Sequence, residues 1–353
     1  MRAILSELDA RIVREAEPNI SYQGEYTNLI LEIEAEDLFT IARLPGLRLL
    51  EYASPEPGIE GERETQIVAE NLDGAAAPNT APVTSYQGWL TGVDLSGAGV
   101  TVAICDTGVD TNANNNTTGH LDLRGRQTAF VDYTGGGTIT DTNGHGTHVA
   151  GIAVGNAATG QTEGAAPNDF LWGQGMAPGA NYVTQNALEG PWPPVNWANL
   201  TQDSTNNNAQ VMNNSWWDLN TVGGGYTTNA RTFDQLVRDP NPSTTGLENL
   251  TIVFSAGNSG LNASTLTTPK EAKNLITVGN SLTFRPGTGD IDNIQGLRSS
   301  SSRGPALDGR ILPNVVAPGT NVSAPLSATS SRPPIAGTGT PDTANPGNLI
   351  RAC

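Results

Sequence analysis

The chain reads as α/β, with a doubly wound, mostly parallel sheet preceded by a small α+β segment. Three observations predict this. From residue 86 onward, short apolar runs alternate with glycine turns and helical stretches. Strands and helices in alternation imply a parallel sheet with helices on its faces. The runs are also nearly unbroken in apolar character, as strands covered on both faces must be. Finally, the first 55 residues have a different texture, with more charge and fewer glycines.

Within residues 1–55, Leu5 to Val13 reads as a helix entering a strand, and Thr27 to Ile33 alternates like a strand. Ala35 to Leu44 reads as a helix, and Leu47 to Tyr52 as a closing strand. Residues 56–85 read as a linker. Pro55-Glu-Pro-Gly58 and Ala75-Ala-Ala-Pro-Asn-Thr-Ala-Pro82 cannot continue a helix or a central strand. Val100 to Cys105 is the first buried strand, Asn207 to Asn213 and Leu250 to Ser255 are similar, and Asn274 to Val278 follows. Between two of them, Thr228 to Arg238 places Ala230, Phe233, Leu236 and Val237 on one helical face. Ligands of such sheets bind outside the carboxyl ends of the strands. Asp106 and Asn258 both fall just past a strand end.

Composition bounds the function. A chain of 353 residues is long enough for one large domain and a small one. Its 41 glycines and 23 prolines imply many connecting loops. Charged residues are only 15%, yet no apolar run reaches the roughly 18 residues of a membrane-spanning helix. A formal charge of −17 argues against a nucleic-acid partner, because no basic patch is available to neutralise phosphates. Two cysteines make no disulfide framework, and Cys105 reads as a small buried hydrophobe. Lys270 and Lys273 are the only lysines, which reads as coding bias rather than chemistry. The first residues lack the apolar core of a signal peptide.

Three glycine-framed motifs carry chemistry: Cys105-Asp-Thr-Gly-Val109, Asn143-Gly-His-Gly-Thr-His-Val-Ala-Gly151 and Ser255-Ala-Gly-Asn-Ser259. Each has a plainer reading alone. Asp-Thr-Gly is also the aspartic-protease triplet, but that chemistry needs two carboxylates sharing a proton. No second triplet occurs, so that reading requires a dimer. His145 and His148, three apart on a helix, could pair on a metal, but no Glu follows His145. Asn258 could be a turn residue. An acid, a base and an amide in this order are together more specific than any of them singly.

In that order the motifs resemble those of the subtilisin-like serine proteases, the subtilases. The resemblance spans about 86–325 and includes the weaker matches Gly175-Met-Ala-Pro-Gly179, Ser302-Arg-Gly-Pro305 and Val316-Ala-Pro-Gly319. It implies that His145 is the general base, that Asp106 holds its tautomer, and that Asn258 donates to an oxyanion. His148 is then structural. Ser215 and Trp216, with Ser255, Ala256 and Gly257, take the substrate-binding positions. Trp216 and Trp217 stand where the family has small residues, so either the main specificity pocket has another shape or the two rings are core packing. Asp122 in His120-Leu-Asp122 resembles a calcium-site position. A single carboxylate does not make such a site, so calcium enters only as a candidate structural ion and no other cofactor is implied.

By the same resemblance, residues 1–55 form a partial inhibitory prodomain without its first strand. Residues 56–85 form the linker holding the processing region, and 86–353 form a catalytic domain lacking its C-terminal part. The family nucleophile lies in a Gly-Thr-Ser-Met-Ala type motif opening a buried helix, and no serine here has that context. Either Gly337-Thr-Gly-Thr-Pro341 is a degraded copy with Gly339 in place of the serine, or the motif follows Cys353. The second reading is preferred, because Pro346 and Gly347 break the helix that should follow. The expectation is a monomeric extracellular endopeptidase acting on protein or peptide substrates, with no membrane partner and its own prodomain as intramolecular inhibitor. The alternative is a non-catalytic pseudoprotease that holds extended peptide by β-augmentation.

Overall fold

The computed structural model describes most of residues 62–327, with breaks at 74–80, 84, 112–117, 136–139, 163–169, 190–195, 217–221, 247, 285–292 and 321. It also describes short pieces at 11–15, 29–32, 37, 40–41, 43–44, 329 and 349–352. The chain divides into two units, Met1–Glu56 and Pro57–Cys353.

In the first unit, β1 (Arg11–Glu15) pairs antiparallel with β2 (Leu29–Glu32). These match the two strands expected near Val13 and over 27–33. The closing strand at 47–52 and most of the helix at 35–44 lie outside the described residues.

The second unit opens with a departure from expectation. Within the stretch read as linker, α1 (Glu62–Val68) is a helix that buries Glu62 to Gln66. Its polar residues are buried because they are paired. Glu62 accepts from the backbone N–H of Leu171 at 2.8 Å and from that of Tyr86. Thr283 donates to Glu64 at 3.2 Å, and the Arg63 guanidinium lies 4.3 Å from the centre of the Phe170 ring. A run of Glu, Arg, Thr and Gln looks solvated in sequence; Thr65 and Gln66 bond back to Glu62, but the partners of Glu62, Arg63 and Glu64 include residues remote in the chain.

The sheet behind this helix has seven strands, every neighbouring pair parallel. In chain order they are β3 (Thr101–Asp106), β4 (Gln127–Asp132), β5 (Asn181–Asn186), β6 (Val211–Asn214), β7 (Thr251–Ser255), β8 (Ile276–Ser281) and β9 (Val315–Pro318). In space they run β4-β5-β3-β6-β7-β8-β9. The order reverses at β3, where a doubly wound sheet opens its ligand crevice. All six residues of β3 are buried, and alternate side chains serve opposite faces. Val102 and Ile104 join Ala150 and Val154 of α3 (His145–Val154). Ala103 and Cys105 join Leu200 of α4 (Trp197–Asn206) and Ala230, Phe233 and Leu236 of α5 (Thr228–Leu236). The helical face expected at 228–238 is the one that packs. α2 (Tyr86–Gly92) precedes β3.

Beyond β9, β10 (Ser323–Leu326) pairs antiparallel with β11 (Leu349–Ala352) and packs on α3. Its approach depends on Gly151. A Cβ there would sit 2.2 Å from Cδ of Pro325 and 3.0 Å from Cβ of Ala324. His148 fastens the same contact by donating from Nε2 to the Val322 carbonyl at 3.0 Å. We predict that Gly151→Ala forces β10 off α3 and costs about 1–3 kcal/mol, as overpacking does. Chemical denaturation of the variant and the parent chain checks this, and equal midpoints would contradict it.

Candidate active site

Asp106 is the last residue of β3, at the carboxyl end of the strand where the sheet order reverses. Its carboxylate is fully buried. Oδ1 accepts the backbone N–H of Thr107 at 2.8 Å and lies 2.6 Å from Nδ1 of His145. His145 is the first residue of α3, and its side chain is 32% exposed. A buried anion thus holds the inner nitrogen of a ring that reaches the surface. The inner nitrogen is the donor, because an ionised carboxylate only accepts.

The close approach has a local cause. Gly144 caps α3 at φ 83 and Gly108 turns the chain after β3 at φ 101. A Cβ on Gly146 would fall 2.0 Å from the Gly108 carbonyl oxygen and 3.0 Å from Cβ of Asp106. Without side chains at these points, the first turn of the helix slides against the strand end. Thr107 bolts the two together, accepting the Gly146 N–H at 2.9 Å and donating to Asp141 at 3.0 Å.

Asp141 is a group the sequence reading missed. Oδ1 accepts the N–H of Gly144 at 2.7 Å, and Oδ2 accepts the N–H of Thr147 at 2.9 Å and also its hydroxyl. It caps the open amides of α3 and places an anion at the positive end of the helix. An acid shortly before a helix start is a legible capping signal.

The remaining expected residues lie along the same sheet edge. Asn258 is exposed and follows β7, two strands from β3, roughly 10 Å away by strand spacing. Its loop is pinned to the Ser302-Arg-Gly-Pro305 segment. Ser302 donates its N–H to the Gly257 carbonyl at 2.8 Å, Ser259 donates to Oγ of Ser302 at 3.0 Å, and Gly260 donates to the Ser300 carbonyl at 3.0 Å. Ser302, legible in the sequence only as the start of a weaker motif match, therefore holds the Asn258 loop. Ser215 follows β6, half-buried, with its hydroxyl accepting from Asn213 at 3.1 Å. Ser255 ends β7, and Gly257 adopts φ +107. The side chain of Ala256 turns inward to Leu266, Ala306 and Leu312.

Of the two readings of Trp216, its side chain follows core packing. Its indole is 4% exposed, stacks on Trp197 at 5.2 Å and meets the ring of Phe254 edge-on at 5.0 Å. It fills the core under α4 and α5. Trp217 lies outside the described residues, as does Gly337 to Pro341.

His145 is directed to Asp106 and His148 to Val322, so the two histidines do not converge. Asp122 is fully buried and accepts the Thr159 N–H at 2.8 Å. Burial pushes its carboxyl up to about 7. Its Oδ2 faces the Thr159 hydroxyl at 3.5 Å, and a single carboxylate does not make a calcium site. No group of three or more His, Cys, Asp or Glu that could hold a metal occurs among the described residues.

Asp141 gives the site a pH signature. Burial raises its carboxyl to about 6, above the ordinary value of 3.8. The folded state then holds the proton more tightly than the unfolded chain. Its contribution is fully present below about pH 4 and is lost as pH rises to about 6. We predict that Asp141→Asn removes this slope. Relative to the variant, the parent chain loses about 3 kcal/mol between pH 4 and 6, at about 1.4 kcal/mol per unit of pKa shift. Denaturation midpoints of both proteins across that range check it, and parallel profiles would contradict it.

Comparison with known proteins agrees with this geometry. Residues 97–344 match the family model described as the subtilase family. Serine protease AprX of Bacillus subtilis (strain 168) is 30% identical over 236 residues, which cover 65% of this chain and 48% of that protein. An alkaline protease of Alkalihalobacillus alcalophilus is 29% identical over 326 residues, covering 91% of this chain and 66% of that protein. The chain thus spans about half the length of the first of these relatives and 66% of the second. With a match over most of its length and an acid and a histidine joined at the switch point of a parallel sheet, the chain belongs to the subtilase family.

Proposed function

We propose that the protein is a serine endopeptidase whose acid and base are Asp106 and His145. The observation that carries this reading is the 2.6 Å contact between a buried carboxylate and a histidine open to the surface. A serine hydroxyl is a poor nucleophile until an imidazole accepts its proton. With Nδ1–H donated to Asp106, the neutral ring keeps its lone pair on Nε2 for that proton. As the imidazolium forms, Asp106 stabilises it without taking the proton itself. Asn258 is the oxyanion donor in this scheme, and loss of such a donor costs roughly 10²–10³ in turnover. The serine attacks the peptide carbonyl, the amine leaves with the proton held by His145, and water then releases the acyl group.

The nucleophile is the open part of the scheme, since no serine of the sequence has the expected context. Residues 1–55 act as the intramolecular inhibitor, and the parent protein works outside the cell on proteins or peptides. Among the described residues no helix is long and apolar enough to cross a membrane.

A fluorophosphonate probe tests the proposal, because it labels only an activated serine. The 353-residue chain stays unlabelled. The chain extended by the codons that follow is labelled at one serine, and His145→Ala in that extended chain abolishes labelling. Labelling of a serine within residues 1–353 would show that the nucleophile is already present. No labelling of either form, with peptide still bound, would establish the non-catalytic pseudoprotease instead.

A further inference from the structure

We propose that Lys270 makes this site selective for an acidic substrate side chain, its ammonium lying under Gly257 and pairing with a carboxylate of the residue bound against the end of β7. The inference rests on reading Ser255 to Asn258 as substrate-binding.

Of the two lysines, Lys273 is exposed and lies 5.0 Å from the centre of the Tyr226 ring. Lys270 is fully buried, and its Nζ has no hydrogen-bond partner among the described residues. Its backbone is fixed, with N–H donated to the Thr267 carbonyl at 3.0 Å and its own carbonyl accepting from Thr277 at 2.9 Å. The adjacent acid, Glu271, directs Oε2 to the Leu307 N–H at 3.2 Å. An ammonium carries three donors and no acceptor, so a buried one without partners is costly unless something arrives to pair it.

Gly257 locates the place of arrival. A Cβ added there would lie 3.1 Å from Nζ of Lys270 and 3.0 Å from Oγ of Ser302. The ammonium therefore sits directly beneath a residue without a side chain. Gly257 is part-exposed, while Asn258 and Ser259 beyond it are exposed. The cation is one backbone thickness from the surface that would hold a peptide. Burial lowers its pKa to about 7, so the charge is easily lost in the free protein and restored by an incoming anion. A carboxylate forms a charge-assisted bond and neutralises the site, whereas its amide isostere leaves the cation uncompensated.

The presence of two lysines makes the test direct. Lysine labelled with carbon-13 at the ε position gives one signal for Lys270 and one for Lys273, the second serving as control. The chain is titrated with acetyl-Ala-Ala-Ala-Xaa-amide, where Xaa is Glu, Gln or Leu. The Glu peptide is expected to move the Lys270 signal alone and to bind about 10- to 100-fold more tightly than the Gln peptide, the worth of a hydrogen bond to a charged group. Lys270→Met is expected to bind the Glu and Gln peptides equally. Equal affinity of the two peptides for the parent chain, or binding that leaves Lys270 unmoved, would overturn the selectivity and leave the peptide site standing. Failure of all three peptides to bind would overturn both.

Discussion

The acid–base pair proposed for this protein depends on one close approach, that of the first turn of α3 to the end of β3. The contact between Asp106 and His145 exists because nothing intervenes between Gly146 and the Gly108 carbonyl. A side chain at Gly146 would wedge strand and helix apart at the point where the carboxylate must meet the imidazole. Thr107 and Asp141 convert that proximity into a fixed geometry, since each bonds to both sides or to the open amides of the helix.

The rest of the fold holds that junction still. β3 is buried on both faces and clamped between β5 and β6, so the backbone carrying Asp106 has no freedom to withdraw. The aromatic group of Trp197, Trp216, Phe233 and Phe254 fills the opposite face of the sheet at centroid distances of 5.0 to 6.5 Å. Each such pair contributes about 0.5–1.5 kcal/mol beyond the area it buries. On the other side, Gly151 and His148 fasten β10 against the helix that bears His145. The one-third-exposed imidazole is therefore the outermost part of an otherwise immobilised assembly.

What was legible in the sequence follows from this arrangement. Asp106 and His145 announced themselves because their geometry requires glycines, and glycines leave a pattern. The buried strands and the packing face of α5 were legible because apolar periodicity is a local signal. Trp216 stayed ambiguous in the sequence because its position in a motif implied a surface role, while its size suited a core, and the fold buries it. The helix Glu62–Val68 was invisible because the partners of its buried charges, Leu171, Phe170 and Thr283, are remote in the chain. Lys270 looked like a compositional accident for the same reason. Only the fold brings Gly257 over it.

The central claim, that Asp106 holds His145 as the Nδ1–H tautomer, is tested most directly by nitrogen-15 and proton NMR of the three histidines. The account predicts a strongly deshielded proton bonded to Nδ1 of neutral His145, slow to exchange, and lost in Asp106→Asn while the overall fold remains. A neutral His145 protonated at Nε2, or a spectrum that Asp106→Asn leaves unchanged, would contradict it.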